Sequence, residues 1–286
     1  MNECIEIEEI CINYLNGYIM KNSKIQRKGS VILFGGSEGS CNYDKAIELA
    51  SDGYFILALF FFGKENQNKT LTKVPIEFIH DAISLLKEKN ENYDKVTVIG
   101  GSKGGELSLV LGTIEKEIDN IVAYVPSSHV FQGLDFSNIG SSWMYKGKEI
   151  EYISFKSAKM SIFISIMWQK FVKKKVAYRK YYESALSNAE NKEGARIKIE
   201  NFKGNLLMFS GTDDQMWDSA VMTKEVVKIR KGLKTENYIF EGAGHTFGKI
   251  EAGDQILGGT IEDNKIASIK NRKILNESLN KWHPFI

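Results

Sequence analysis

The stretch KVTVIGGSKGGELSLVLGTIEK, Lys95–Lys116, decides the fold class. Its opening residues, KVTVIG, are a short apolar run with β-branched positions, which reads as a buried strand. From Gly104 to about Lys116 the apolar positions recur at helical spacing. Between the two lies Gly100-Gly101-Ser102-Lys103-Gly104, which fits G-x-S-x-G. A chain that turns sharply from strand to helix needs small residues on either side of the turn, and the serine then projects at the top of a sheet with a strained backbone. The helix behind it offers N–H groups and partial positive charge to a developing oxyanion. This reads as a nucleophile elbow, with Ser102 as the expected nucleophile, against the alternative of a Gly-rich strand–helix turn. A phosphate-binding P-loop is excluded, because no Gly-Lys-Ser/Thr follows the glycines.

Outward from the elbow the same alternation continues in both directions. Val31–Phe34, Tyr54–Phe62, Asn120–Val125, Asn205–Ser210 and Asn237–Phe240 read as strands. Tyr43–Ser51, Pro75–Lys89, Ser219–Lys231 and Glu262–Lys281 read as helices. Strands alternating with helices imply an α/β fold, a mostly parallel central sheet with helices on both faces. Residues 1–21 are expected to form an N-terminal hairpin, with Asn16-Gly17 as its turn signal. Residues 128–203 break the rhythm, being too long for an ordinary crossover. They are rich in Trp, Tyr and Phe and carry the basic run Lys170, Lys173, Lys174, Lys175, Arg179 and Lys180. With no linker composition around them, they read as a helical lid insertion over the carboxyl ends of the sheet, within one domain spanning 1–286.

A serine at such an elbow needs a base, and the chain has four histidines. His80 falls within a helix, His129 opens the insertion and His283 lies near the C-terminus. His245 follows the last expected strand in Glu241-Gly242-Ala243-Gly244-His245, where glycines let a loop approach a ligand closely, and it is the candidate general base. The acid should follow the preceding strand, where Gly211-Thr212-Asp213-Asp214 offers two adjacent carboxylates. Asp214 is preferred and Asp213 is the alternative. The order Ser102, Asp214, His245 is that of α/β-hydrolases. The Gly-rich turn Gly35-Gly36-Ser37-Glu38-Gly39 does not match G-x-G-x-x-G. It is placed instead as the second arm of an oxyanion hole, with the backbone N–H groups of Ser37 and Lys103 as donors.

Composition bounds the alternatives. The chain has 286 residues, 43% hydrophobic and 26% charged, with 38 Lys+Arg against 36 Asp+Glu. That length supports a sizeable core, and the near-neutral balance argues against a uniformly basic nucleic-acid binder. The cysteines, Cys4, Cys11 and Cys41, show no metal-ligand spacing and read as unpaired thiols of a reduced intracellular protein. MNECIEIEEI does not read as a signal peptide, and the longest apolar runs, Phe55–Phe62 and Ile162–Trp168, are too short to cross a bilayer. The expectation is a cytoplasmic protein that needs no cofactor or metal and has no nucleic-acid or membrane partner.

GGSKGGEL around Ser102 and GTDDQMWDS around Asp214 and Trp217 resemble the acyl-CoA thioester hydrolase / bile acid-CoA:amino acid N-acyltransferase C-terminal catalytic domain. AYVPSSHVFQG at 123–133 and SSWMYKGKEIEY at 141–152 share the likeness, which runs from about Gly17 to the C-terminus. By position, the resemblance implies an α/β-hydrolase fold with Ser102 as nucleophile, Asp214 as acid and His245 as base. Larger animal members carry an N-terminal β-sandwich domain before this region. The N-acyltransferase members carry cysteine at the elbow; serine here implies an oxygen-ester intermediate that water can hydrolyse.

The expected activity is therefore a serine hydrolase acting on a small-molecule acyl thioester, an acyl-CoA. The alternative is a carboxylesterase or dienelactone-hydrolase-like esterase, and a non-enzymatic scaffold of the same fold is a third reading. Within the insertion, the aromatic residues read first as lid core and the basic run as a solvated face. An acyl pocket and a site for CoA phosphates are the functional alternatives.

Overall fold

The computed structural model describes residues 4–286; Met1–Glu3, where the expected hairpin would begin, lie outside them. The chain opens with β1 (Ile5–Ile12), β2 (Leu15–Asn22), β3 (Ser30–Phe34), α1 (Tyr43–Ser51) and β4 (Phe55–Phe60). A two-residue β5 (Val74–Pro75) and α2 (Phe78–Lys89) lead to β6 (Val96–Gly101), α3 (Lys103–Ile114) and β7 (Asn120–Tyr124). The long interval holds short β8 (Trp143–Tyr145) and β9 (Lys148–Glu149), then α4 (Met160–Phe171), α5 (Arg179–Asn188) and α6 (Lys192–Ala195). The chain closes with β10 (Asn205–Gly211), α7 (Ser219–Ile229), β11 (Thr235–Phe240), the small strands β12 (Glu251–Ala252) and β13 (Gln255–Ile256), and α8 (Ile261–Trp282).

Eight strands share one sheet in the order β1-β2-β4-β3-β6-β7-β10-β11. From β4 to β11 every pair is parallel, and the β1–β2 hairpin adds antiparallel to β4 at one edge. All five residues of β3 are buried, as a central parallel strand covered on both faces demands. Alternate side chains divide between two cores. Ile32 and Phe34 face Ile79, Ile83 and Leu86 of α2 and Leu107 and Leu111 of α3. Val31 and Leu33 face Ala46 and Leu49 of α1 and Leu275 and Leu279 of α8. The expected α/β-hydrolase architecture is therefore present.

The hairpin turn lies elsewhere than expected. Ile12 pairs with Leu15, so the chain reverses at Asn13-Tyr14, with Asn13 at φ 53°. Asn16 and Gly17 lie inside β2. A Cβ on Gly17 would stand 1.9 Å from the Ala58 carbonyl oxygen, so this glycine serves a close backbone approach to β4 and not a turn.

The segment 128–203 builds a core of its own, in which Phe131, Phe155, Tyr181 and Tyr182 pack with Trp217. Tyr182 stands edge-on to Trp217, with ring centroids 5.2 Å apart. Its aromatic residues are thus used in packing. Among the described residues no helix is long and apolar enough to cross a membrane.

Candidate active site

The turns after β3, β6, β10 and β11 converge at the carboxyl ends of the parallel strands, the general location for ligands in open α/β sheets. Ser102 joins β6 to α3 at φ 55°, ψ −121°, a conformation that costs a non-glycine residue about 1–3 kcal/mol. The surroundings enforce it. A Cβ on Gly100 would stand 2.1 Å from the Gly104 carbonyl oxygen, and one on Gly104 would stand 1.9 Å from that of Gly35. Both outer glycines of G-x-S-x-G are therefore steric requirements of the turn. The Ser102 N–H donates to the Tyr124 carbonyl at 2.9 Å, and its own carbonyl accepts from the Glu106 N–H at 3.0 Å.

His245 lies in the loop after β11, with its N–H donating to the Leu257 carbonyl at 2.9 Å. The preceding Gly244 N–H donates to Asn264 Oδ1 at 2.8 Å, which fixes the loop against α8. Nε2 of His245 is 2.8 Å from Ser102 Oγ, and Nδ1 is 2.9 Å from both carboxylate oxygens of Asp214. Asp214 is fully buried and also accepts the Met216 N–H at 2.9 Å. Asp213 turns away, accepting from Gln215 Nε2 at 2.6 Å and the Gly259 N–H at 2.7 Å. Of the two adjacent carboxylates, then, it is Asp214 that meets the imidazole.

The Trp217 ring stands at 90° to that of His245, 5.0 Å between centroids, and its indole N–H donates to the Val125 carbonyl at 3.0 Å. Val125 has φ 42°, a rare conformation for a β-branched residue. No local sequence signal points to Val125, whereas Trp217 falls inside the conspicuous GTDDQMWDS motif.

In the β3–α1 turn, Glu38 accepts from the Gly36 N–H at 2.8 Å and from the Ser40 hydroxyl at 2.6 Å. A Cβ on Gly36 would stand 3.3 Å from Ser102 Cβ, so the turn lies directly over the serine. Lys103 is the first residue of α3, where a backbone N–H has no partner inside the helix. Its side chain, unremarked by the sequence reading, is fully buried. The ammonium donates to Glu106 at 2.9 Å and to Ser142 Oγ at 2.8 Å. Trp143 Nε1 donates to the same carboxylate at 2.9 Å. Burial pulls the Lys103 ammonium below its ordinary range and pushes the Glu106 carboxyl up. The i, i+3 spacing of Lys103 and Glu106 was the available signal.

A cavity of about 440 Å³ opens beside Ser102 and His245. Phe34, Ile99, Tyr124, Val125 and Phe247 give it apolar walls, and Lys45, Glu48 and Arg272 stand on its α1 and α8 side. Lys45 and Arg272 both contact Glu48, at 3.1 and 3.3 Å. No residue of 128–203 lines this cavity. The basic run divides accordingly. Arg179 donates to the carbonyls of Thr212 and Asp214 at 3.0 and 3.2 Å and pairs with Asp218, clamping the turn that carries Asp214. Lys170 pairs with Asp254 at 3.2 Å and Lys175 with Glu251. The remaining histidines are not at the site. His80 pairs with Glu115, His129 with Ser128, and His283 is buried against Thr97.

The family described as BAAT / Acyl-CoA thioester hydrolase C terminal matches residues 74–249. The chain belongs to that family. Among curated relatives of this BAAT and thioester-hydrolase group, human acyl-coenzyme A thioesterase 1 is 26% identical over 202 residues, 70% of this chain and 43% of its own length. Human mitochondrial acyl-coenzyme A thioesterase 2 is also 26% identical, over 70% of this chain and 38% of its own length. The chain thus spans about four-tenths of the length of these relatives. Among solved structures, an esterase from Pyrococcus furiosus superposes with TM-score 0.60 at 17% identity, covering 97% of this chain and 91% of its own. A thermophilic esterase from Thermogutta terrifontis gives 0.56 at 15%, covering 98% and 92%. These likenesses establish the α/β-hydrolase fold.

Proposed function

We propose that this chain is a serine hydrolase that opens acyl thioesters, with acyl-CoA as the substrate class. The observation that carries the reading is the unbroken line from Ser102 Oγ through the His245 ring to Asp214, at 2.8 and 2.9 Å. With Nδ1 donating to Asp214, the neutral imidazole presents Nε2 as acceptor to the serine hydroxyl. His245 takes the Ser102 proton as Oγ bonds to the acyl carbon. The carbonyl electrons move onto oxygen, and the N–H groups of Ser37 and Lys103 are the proposed donors to that oxyanion. Collapse breaks the carbon–sulfur bond, and the imidazolium returns its proton to the departing thiolate. A water activated by His245 then hydrolyses the ester on Ser102, releasing the acid.

The buried carboxylate balances the imidazolium in both halves of the cycle. The family and the names of its relatives support a CoA thioester over a simple ester. The apolar cavity walls suit an acyl chain, and Lys45 and Arg272 suit an anionic leaving group. The decisive experiment sets fluorophosphonate labelling beside turnover of an acyl-CoA panel and of p-nitrophenyl esters. The wild-type chain is expected to label once, at Ser102, and to turn over CoA thioesters best. Ser102→Ala should lose labelling and at least about a thousandfold in turnover while melting like the wild type. Thioester turnover at background beside brisk ester cleavage would transfer the reading to a carboxylesterase.

A further inference from the structure

Helix α4 reads MSIFISIMWQKF, and only Ile166 among its residues is buried. Ile162 packs partly against the aromatic core of the insertion. Met160, Phe163, Ile164, Met167, Trp168 and Phe171 are all exposed. Their spacing of three and four residues places them on one face of the helix. Trp168 is 63% and Phe171 79% exposed, and their rings lie 5.8 Å apart. A continuous apolar stripe of this kind on a water-exposed helix marks an interaction surface.

The charge around the stripe identifies what covers it. Between Glu151 and Glu183 the sequence has no acidic residue and eight Lys and Arg. Lys159 precedes the helix, and Lys173, Lys174 and Lys175 follow it, all exposed. Lys170 and Lys175 are bridged to Asp254 and Glu251, whereas Lys173 and Lys174 have no ion pair among the described residues. Since the whole chain carries only +2, this basicity is local. A second copy docked face to face would bring two lysine clusters together, which is unfavourable. An apolar helix face with Trp and Phe, bordered by lysines, matches the interface of an anionic bilayer, into which such faces sink while the cations meet headgroup phosphates.

We propose that α4 and the lysines at its C-terminal end form a docking surface for anionic lipid membranes. This departs from the expectation of no membrane partner. It does not depend on the identity of the substrate. The helix lies on the membrane and does not cross it.

Trp168 supplies the readout, because Trp143, Trp217 and Trp282 are buried. The full chain is mixed with phosphatidylcholine vesicles, with and without phosphatidylglycerol, at low and high salt, following co-sedimentation and tryptophan emission. Binding and a blue shift are expected only with phosphatidylglycerol, weakening as salt rises. The double variant K173E/K174E should lower vesicle affinity about tenfold or more. F171S should weaken it as well, and W168F should still bind while losing the blue shift. Thermal melting controls for fold, since none of these side chains is buried. Failure to sediment with phosphatidylglycerol vesicles would overturn the proposal. So would binding indifferent to F171S and K173E/K174E, or a concentration-dependent dimer that shields Trp168 without any vesicle binding.

Discussion

Asp213 and Asp214 are neighbours in sequence with opposite assignments in space. Asp214 lies beneath the His245 ring at 2.9 Å, while Asp213 caps Gly259 and holds Gln215. Replacing the Asp214 carboxylate by an amide retains its shape but removes the charge that, in the proposed mechanism, balances the imidazolium and fixes its tautomer. Asp214→Asn is therefore expected to lower kcat about ten-thousandfold. Asp213→Asn should leave kcat within a few fold and appear in thermal stability instead. Steady-state kinetics on both variants checks this, and equal losses would mean that the two carboxylates act together. At this scale the residues alone mark the pair and give Asp214 only a preference over Asp213, which the family resemblance shares. G-T-D-D after a strand marks the turn, but which carboxylate points inward depends on backbone dihedrals set by the Gly259 and Ala243 contacts from distant loops.

At the scale of elements, the first turn of α3 carries a buried ion pair directly beside Ser102. Lys103 and Glu106 are 1% and 0% exposed, and the pair is tied to Ser142 and Trp143 from the β8 region. Removing one partner of such a pair leaves an uncompensated buried charge, at a cost of about 3–5 kcal/mol. Lys103→Met should lower stability by that amount in urea unfolding, and adding Glu106→Gln should restore a large part of it. A single-variant loss under about 1 kcal/mol would show that the pair is not needed to hold the elbow. Strong periodicity made the strands and helices themselves legible, α3 and β6 above all. The hairpin turn at Asn13-Tyr14 was not legible, because a glycine demanded by β4 stands three residues later and resembles a turn signal. Nor was the destination of 128–203: its aromatic content announces packing, but not that the packing gathers around Trp217 and leaves the Ser102 cavity to α1 and α8.

Over the whole molecule, the C-terminal end of α8 is locked to the sheet through a buried histidine. His283 Nδ1 donates to the Lys28 carbonyl at 2.9 Å, and Nε2 is 2.7 Å from Thr97 Oγ1. Thr97 in turn accepts from Asn120 Nδ2 at 3.0 Å, so its hydroxyl proton is free to donate to the imidazole and the neutral ring is the form that fits. Burial pushes the His283 pKa down to about 4 from the ordinary 6.5. The unfolded chain therefore takes up a proton at this residue as pH falls below about 6.5, while the folded chain resists until about 4. Stability attached to the neutral ring is full above about 6.5 and drains away across that window, by about 3 kcal/mol in all. His129, also held below its ordinary value by burial, acts in the same direction. Urea unfolding from pH 7 to pH 4 should show a steeper fall for the wild type than for His283→Asn, whatever the absolute stability of the variant. The difference in slope is the quantity that matters, since the paired carboxylates titrate alike in both proteins. Parallel curves would mean that the ring is solvated or already charged in the fold, and that α8 is held by Leu275, Leu279 and Trp282 alone.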